Sequence, residues 1–271
     1  MGEVERENER TGENPPERLV GRLEDRLGQA HQTVREVKDQ VREKAELAQQ
    51  TVREKAELVK PKLRGWLHAG TFPLAVTLGA VLVLVSPEGR VRVASAVFAV
   101  TASLLFGVSA LYHRGHWSPR TTRLLKRMDH ANIFLIIAGT YTPFSVLLLA
   151  PGPARTLLWI VWSGALAGVA FRVLWVGAPR WLYVPVYIAL GWVAVVYLPE
   201  FWAAPGHAVA IVTLILVGGL FYTVGAIIYG TKRPNPSPRW FGFHELFHAF
   251  TVAAFLAHWV GAAIAVGSVP S

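Results

Sequence analysis

The sequence predicts an all-α integral membrane protein: a bundle of seven transmembrane helices preceded by one long amphipathic helix. Of its 271 residues, 52% are hydrophobic and 17% are charged. Residues 1–65 carry 14 basic and 14 acidic side chains, whereas the remaining 206 residues carry only 13 and four. Because soluble domains are about 25% charged, this composition excludes a water-soluble globule for residues 66–271. The absence of cysteine excludes disulfides and thiolate metal ligands.

Seven apolar stretches of spanning length follow residue 65. Each has about 18–24 residues, enough to cross about 30 Å of hydrocarbon at about 1.5 Å per residue. The short connections between them contain proline and glycine, which favour turns and helix ends. The predicted spans are 66–85, 91–113, 131–150, 156–176, 181–199, 207–229 and 243–266.

The basic residues of the connections predict an orientation. The connections after spans two, four and six carry nine Lys or Arg, and those after spans one, three and five carry three. Basic loops remain in the cytoplasm, so we expect the N-terminus there and the C-terminus outside, in a cytoplasmic (plasma) membrane. Since these cations lie in short loops rather than along one polar face, the net charge of +9 does not indicate nucleic-acid binding.

The N-terminal region follows a different pattern. We expect residues 1–16 to be disordered and residues 17–65 to form one amphipathic helix, with residues 66–271 as the membrane domain. Apolar or small residues recur in this helix every 3.67 residues on average, which is an eleven-residue period, and Val41–Leu47 returns unchanged at 52–58. Self-association through this helix is the first expectation. A position along the membrane surface and a solvated spacer remain alternatives, because the apolar stripe is mostly Val and Ala.

Ionisable residues gather where the predicted spans meet the cytoplasmic side. Asp129 lies at the entry to span three and His113 at the end of span two, whereas His244 and His248 lie at the start of span seven. The predicted topology brings these ends to one level of the membrane. Ionisable groups at such positions are costly and usually mark function.

Three of these histidines form a candidate metal site. His244 and His248 are four residues apart and can share one ion, with His113 as the third ligand. Three imidazoles with an open fourth position are a known arrangement for catalytic zinc. The alternative is that each ring only hydrogen-bonds a neighbour or a lipid headgroup. We expect His258, about 21 Å deeper along the same helix, to be packed and hydrogen-bonded, and the role of His130 stays open.

The sequence from His244 to His248 also matches H-E-x-x-H, the metalloprotease signature in which the glutamate is the general base. No Asp or Glu follows His248, so the usual downstream ligand is missing. An interfacial structural role for Glu245 is therefore favoured over a catalytic one.

Several motifs together resemble the hemolysin III family, which belongs with the progestin and adipoQ receptors and, more distantly, the alkaline ceramidases. The resemblance covers about residues 66–268, and its motifs are Ser109-Ala-Leu-Tyr112-His113, Met128-Asp129-His130-Ala-Asn-Ile133-Phe134, Ala138-Gly139-Thr140-Tyr141-Thr142-Pro143, and His244-Glu-Leu-Phe-His248 with His258 beyond.

The resemblance implies a seven-helix bundle with its N-terminus inside and zinc near the cytoplasmic face. It implies that His113, His244 and His248 are the zinc ligands. It further implies that Asp129 is the acid that orients or activates water, and that Ser109 is a nearby polar partner. No role transfers securely to Glu245.

These observations predict a zinc-dependent hydrolase that cleaves an amide or ester bond of a membrane lipid, as in a ceramidase. One alternative is a non-enzymatic membrane receptor or regulator in which zinc is structural. The other is a pore-forming haemolysin, although the spans contain few polar residues that could line a channel.

Overall fold

The computed structural model describes residues 15–59, 61–204 and 206–269, and in this part of the chain it contains helices and no β-strand. Two compact units are separated after Val59. Each unit is described by itself.

The first unit contains one helix, α1 (Pro15–Val59), of 45 residues. The proline pair at its start suits a first helical turn, where the backbone N–H groups have no intrahelical acceptor. Polar side chains one turn apart pair on its surface, as in the ion pair of 3.1 Å between Arg42 Nε and Glu46 Oε1. Disorder is expected for residues 1–16; residues 1–14 lie outside the described residues, whereas Pro15 and Pro16 belong to α1.

The second unit contains seven helices long and apolar enough to cross a membrane. The predicted fold class is thereby confirmed, whereas the orientation of the termini remains a prediction. The helices are α2 (Trp66–Val85), α3 (Arg90–Arg114), α4 (Pro119–Leu148), α5 (Pro151–Leu174), α6 (Arg180–Gly191) with a 3₁₀ turn (Val193–Tyr197) and α7 (Leu198–Trp202) completing the fifth span, α8 (Ala208–Thr231) and α9 (Phe243–Gly267).

Helix α4 is the most buried of the spans. Successive helices from α2 to α5 pack side by side, α8 packs on α9, and α9 contacts both α2 and α4. One buried apolar cluster joins α4 to α5, α6 and α8, and includes Phe134 and Tyr187. A second joins α2, α3 and α9, and includes Phe106 and Phe255. The contacts of α9 with α2 and α3 bring the end of α3 to the start of α9.

Helix α4 begins twelve residues before the predicted start of the third span at residue 131. Pro119 occupies its first turn, and Ser118 Oγ accepts a hydrogen bond of 3.2 Å from Thr121 N. Hydropathy detects only the apolar part of a helix, whereas this capped and basic extension is helical as well. Asp129 therefore lies well inside α4 rather than at its entry.

The fifth span is interrupted. Its α-helix ends at Gly191 and continues as a 3₁₀ turn and then as α7. Backbone groups freed by such a break need partners inside a membrane. The Tyr141 hydroxyl of α4 supplies them, because it donates to Gly191 O at 2.6 Å and accepts from Ala194 N at 3.0 Å.

Candidate metal centre

Three buried histidines from two distant helices meet at one point. His113 lies in the last turn of α3, whereas His244 and His248 lie in the first two turns of α9. Each offers a ring nitrogen, and the three nitrogens lie within 4.8 Å of one another. The side chains are 7%, 9% and 2% exposed, respectively. Among the described residues, this is the one group of three or more His, Asp or Glu that could hold a metal ion.

Two of the three rings approach as closely as two ligands of one zinc ion would, a distance that also allows a hydrogen bond between them. The Nε2 atoms of His113 and His244 are 3.1 Å apart, close to the roughly 3.3 Å that separates two nitrogens bound tetrahedrally to one zinc at about 2.0–2.1 Å. The Nδ1 atom of His248 is buried and has no hydrogen-bond partner among the described residues. A buried nitrogen without a partner is costly, and coordination would remove that cost if Nδ1 is the atom that faces the other two rings. Imidazole nitrogens also suit zinc in a chain that has no thiolate.

Asp129 and Ser109 lie beside the three histidines. The Asp129 Oδ2 atom is 3.9 Å from His113 Nε2, beyond a direct hydrogen bond. That separation suits an interaction through water. Ser109 precedes His113 by one turn of α3 and is 1% exposed. Both residues line the same internal cavity, so each sequence-predicted site residue lies at this end of the bundle.

His68 is a further member of the site that the sequence analysis missed. It lies in the first turn of α2, is 2% exposed, and stacks on His248 with ring centroids 3.6 Å apart and planes 12° apart. The ring of Phe106 contacts it edge-on from α3. This stack fixes the plane of the His248 ring. The sequence could have indicated His68, because it lies at the start of span one, which the predicted topology places at the same level of the membrane as the other histidines.

Glu245 has a structural role at the start of α9. Its Oε2 atom accepts a hydrogen bond of 2.8 Å from Gly242 N, which caps the helix. Its Oε1 atom forms an ion pair with Arg64 Nε. Both carboxylate oxygens are therefore engaged, one by Gly242 and the other by Arg64.

The segment before α2 packs against the site through a glycine. Gly65 has a φ of +80°, and a β-carbon at this position would lie 2.6 Å from His113 Cβ. Only glycine combines this backbone conformation with such an approach. The same segment is bound to the connection before α9, because Lys62 N donates to Arg239 O at 3.0 Å.

His130 and His258 point to other partners. His130 Nε2 is 3.1 Å from the Tyr229 hydroxyl, and its Nδ1 is 2.7 Å from Lys126 O. His258 Nε2 is 3.2 Å from Ile215 O, which gives it the packed and hydrogen-bonded position expected from its depth. Neither residue belongs to the group of three.

A mostly apolar cavity extends from the site into the bundle. Asp129, Ser109, His68 and His248 lie at one end, and His258 lines it further along. His248 and His258 are ten residues apart on α9, which corresponds to about 15 Å. The broken fifth span also lines this cavity, and irregular backbone at membrane depth is tolerated where it borders a cavity. Its lining there includes Gly191, Trp192 and Ala194.

Comparison with known proteins identifies relatives of this bundle. Residues 56–259 match the family described as "Haemolysin-III related". The protein "Hemolysin-3" of Bacillus cereus is 34% identical over 160 residues, which cover 57% of this chain and 71% of that protein. The "Hemolysin-3 homolog" of Bacillus subtilis (strain 168) is 33% identical over 161 residues, or 59% of this chain and 71% of that protein.

The family match covers six of the seven spans in full, most of the seventh, and all three histidines. Most of helix α1 precedes the matched region. With its seven apolar helices, the protein is a multi-pass membrane protein, and it belongs to the haemolysin-III-related family.

Proposed function

We propose that this protein is a zinc-dependent hydrolase in the bacterial plasma membrane, which cleaves an amide or ester bond of a membrane lipid. One observation carries the proposal: three buried histidines converge where an apolar cavity meets Asp129 and Ser109. Convergent ligands at the end of an apolar pocket are typical of a site that binds an apolar substrate and acts on one polar bond.

The ligand set decides the chemistry. His113, His244 and His248 would hold zinc and leave room for substrate, as in catalytic sites with three protein ligands. Zinc bound there would act as a Lewis acid on the scissile carbonyl and would lower the pKa of water to about 7.

The remaining residues position the reactants. Asp129 would accept a hydrogen bond from water beside His113, take its proton during attack on the carbonyl, and then donate that proton to the leaving amine or alcohol as the bond breaks. Ser109, one turn from His113, would hold the same water or the substrate headgroup. The apolar wall beyond them would bind an acyl chain and exclude bulk water. A lipid is the natural substrate because the cavity is mostly apolar and lies inside a bundle of membrane-spanning helices.

A non-enzymatic receptor or regulator with structural zinc is the second candidate. The triad joins α3 to α9, helices that are far apart in the chain, so a metal there would also brace the bundle. The names of the relatives refer to haemolysis, which adds lysis of a membrane as a third outcome to be measured.

Metal content tests the site. Purified protein should contain about one zinc per chain, because three imidazoles with one open position bind a single ion. His113→Ala and His244→Ala should each lose it. His116→Ala is the matched control, since this exposed histidine lies only three residues from His113. Equal metal content in all four proteins contradicts the site.

Turnover tests the enzyme. The wild type in nanodiscs should hydrolyse a fluorogenic ceramide or ester lipid. Asp129→Asn should retain zinc and lose activity by about 10²–10⁴-fold, as expected on removal of a general base. Zinc binding without turnover of either lipid class supports the structural brace. Release of a dye from vesicles in the absence of turnover supports lysis.

A further inference from the structure

Helix α1 exposes an apolar stripe along its length. The stripe consists of Leu19, Leu23, Leu27, Ala30, Val34, Val37, Val41, Ala45 and Ala48, all of which are exposed. Val34 and Val41, for example, are 64% and 61% exposed. Burial of such a surface is favourable by roughly 25 cal/mol per Å², so a stripe maintained over nearly three eleven-residue periods indicates that something covers it.

The charges of α1 are arranged around this stripe. In an eleven-residue period of three turns, successive residues are about 98° apart. Basic residues then lie within roughly 100° of the stripe's centre on both sides. They are Arg22, Arg26 and Lys44 on one side, and Lys38 and Arg42 on the other; by the same period Arg26 is aligned with Val37 and Ala48 of the stripe, and Lys38 with Leu27. Among the Lys and Arg with described side chains between residues 19 and 51, Arg35 alone lies further away.

The acidic residues of this segment occupy the opposite face. Those with described side chains all lie roughly 130° or more from the centre of the stripe. They are Glu24, Glu36, Asp39, Glu43 and Glu46. The helix therefore has an apolar face, two basic edges and an acidic back.

We propose that α1 lies along the surface of the phospholipid bilayer that holds the seven spans, with its apolar stripe among the headgroups and its acidic back in water. Lysine and arginine at the edges can extend their apolar stems over the stripe and place their charges at the phosphates. The acidic back lies about 10 Å away across the helix, about one Debye length at physiological ionic strength. Its repulsion by the phosphates is therefore largely screened.

A second copy of the chain fits these edges less well. Pairing two helices through the stripe would bring the edge residues of one helix against those of the other. In the described part of the helix the charged residues at both edges are cations, so a symmetric pair would oppose like charges across its interface. The phosphates of a bilayer present the opposite charge instead.

The apolar stripe, although narrow, is sufficient to hold α1 at the bilayer because α1 is covalently joined to the first span. Six residues separate its end at Val59 from the first span, which begins at Trp66. Covalent attachment to a membrane-spanning helix gives α1 a high effective concentration at the bilayer. A modest affinity for the bilayer surface is then enough to hold α1 there, just as a single covalently attached acyl chain binds stably when a second membrane anchor is present.

Site-directed spin labelling of the full chain in nanodiscs tests this proposal. Because the chain has no cysteine, Val41→Cys and Gln50→Cys each give a single labelling site, on the stripe and on the back. Oxygen partitions into the bilayer, whereas a charged nickel chelate stays in water. The oxygen-to-nickel accessibility ratio at position 41 should exceed that at position 50 several-fold. Adding Val34→Ser and Val37→Ser should bring the two ratios together, because the stripe is then interrupted.

A charge-exchange variant tests the role of the basic edges at constant composition. The combination of Lys38→Asp, Asp39→Lys, Glu43→Lys and Lys44→Glu keeps the composition and net charge, but moves two cations from the edges to the back. The ratio at position 41 should fall towards that at position 50, while circular dichroism shows unchanged helix content. A ratio at position 41 that is unaffected by the exchange contradicts the role of the basic edges.

Two results overturn the proposal. One is equal nickel accessibility at positions 41 and 50 in nanodiscs, which would make α1 a solvated spacer. The other is dipolar broadening between labels at position 41 that disappears on dilution with unlabelled chain, which would show that a second copy covers the stripe.

Discussion

Helix α9 has buried histidines at its start and near its middle, and their surroundings differ. At its start, His244 and His248 approach the ring of His113, and His248 also stacks on His68. Deeper in the bundle, His258 has a backbone acceptor, Ile215 O, and its ring lies against Gly218. A buried histidine is therefore a ligand candidate when other imidazoles are the nearest polar groups, and a packing residue when a carbonyl is within reach.

The largest effect is expected on zinc affinity, which should depend on the histidines at the start of α9 and not on the one near its middle. His248→Ala should weaken zinc binding by more than about 100-fold, because loss of an outer partner of a ligand alone costs about 10–100-fold. His258→Ala should leave the affinity unchanged. Competition with a chromophoric chelator measures both, and equal weakening would contradict the distinction.

The glycine that contacts His113 should give the next largest effect. Gly65→Ala places a β-carbon 2.6 Å from His113 Cβ at a φ of +80°, and the left-handed conformation alone costs about 1–2 kcal/mol. Both the free energy of unfolding in detergent and the zinc affinity should decrease. Gly70→Ala is the control, since a β-carbon there would have no other atom within 4 Å. If both variants retain wild-type zinc affinity, the approach of this segment does not position His113.

Substitutions in α8 that press against His258 should lower the stability of the protein without changing its zinc affinity. In Gly218→Ala, the new β-carbon would lie 2.5 Å from His258 Nε2, and such overpacking costs about 1–3 kcal/mol. Gly219→Ala has open space and should be neutral or slightly stabilising, because alanine favours a helix. Thermal unfolding and zinc affinity are both measured. A loss of zinc in Gly218→Ala would mean that packing around His258 is coupled to the histidines at the start of α9.

The smallest effect on zinc content and turnover is expected for Glu245→Gln. Glutamine has a single carbonyl oxygen, so it can accept from Gly242 N only by turning its amide N–H₂ group towards Arg64, and the free energy of unfolding should fall by about 1–3 kcal/mol. Zinc content and turnover should stay near wild type. A fall in turnover of about 10²–10⁴-fold would instead assign Glu245 the role of general base.

The sequence determined the seven spans and the level of the histidines. Spanning length and low charge are local properties of a segment, which is why the boundaries of α2 and α9 agree with the predicted spans to within one residue. Helix α4 starts before the predicted span, because its first turns are basic and hydropathy detects only the apolar part of a helix. The break after Gly191 could not be predicted, since a hydroxyl from another helix stabilises it.

Only the tertiary structure decided which groups meet within that level. The spacing of His244 and His248 placed them on one face of α9, but the approach of His113, the stack of His68 and the pairing of Arg64 with Glu245 depend on how each helix is rotated and how far it is shifted along its neighbours. That rotation and shift result from the packing of many apolar side chains. The composition of a span determines that it enters the membrane, whereas its packing against other helices determines which polar atoms of different spans face one another.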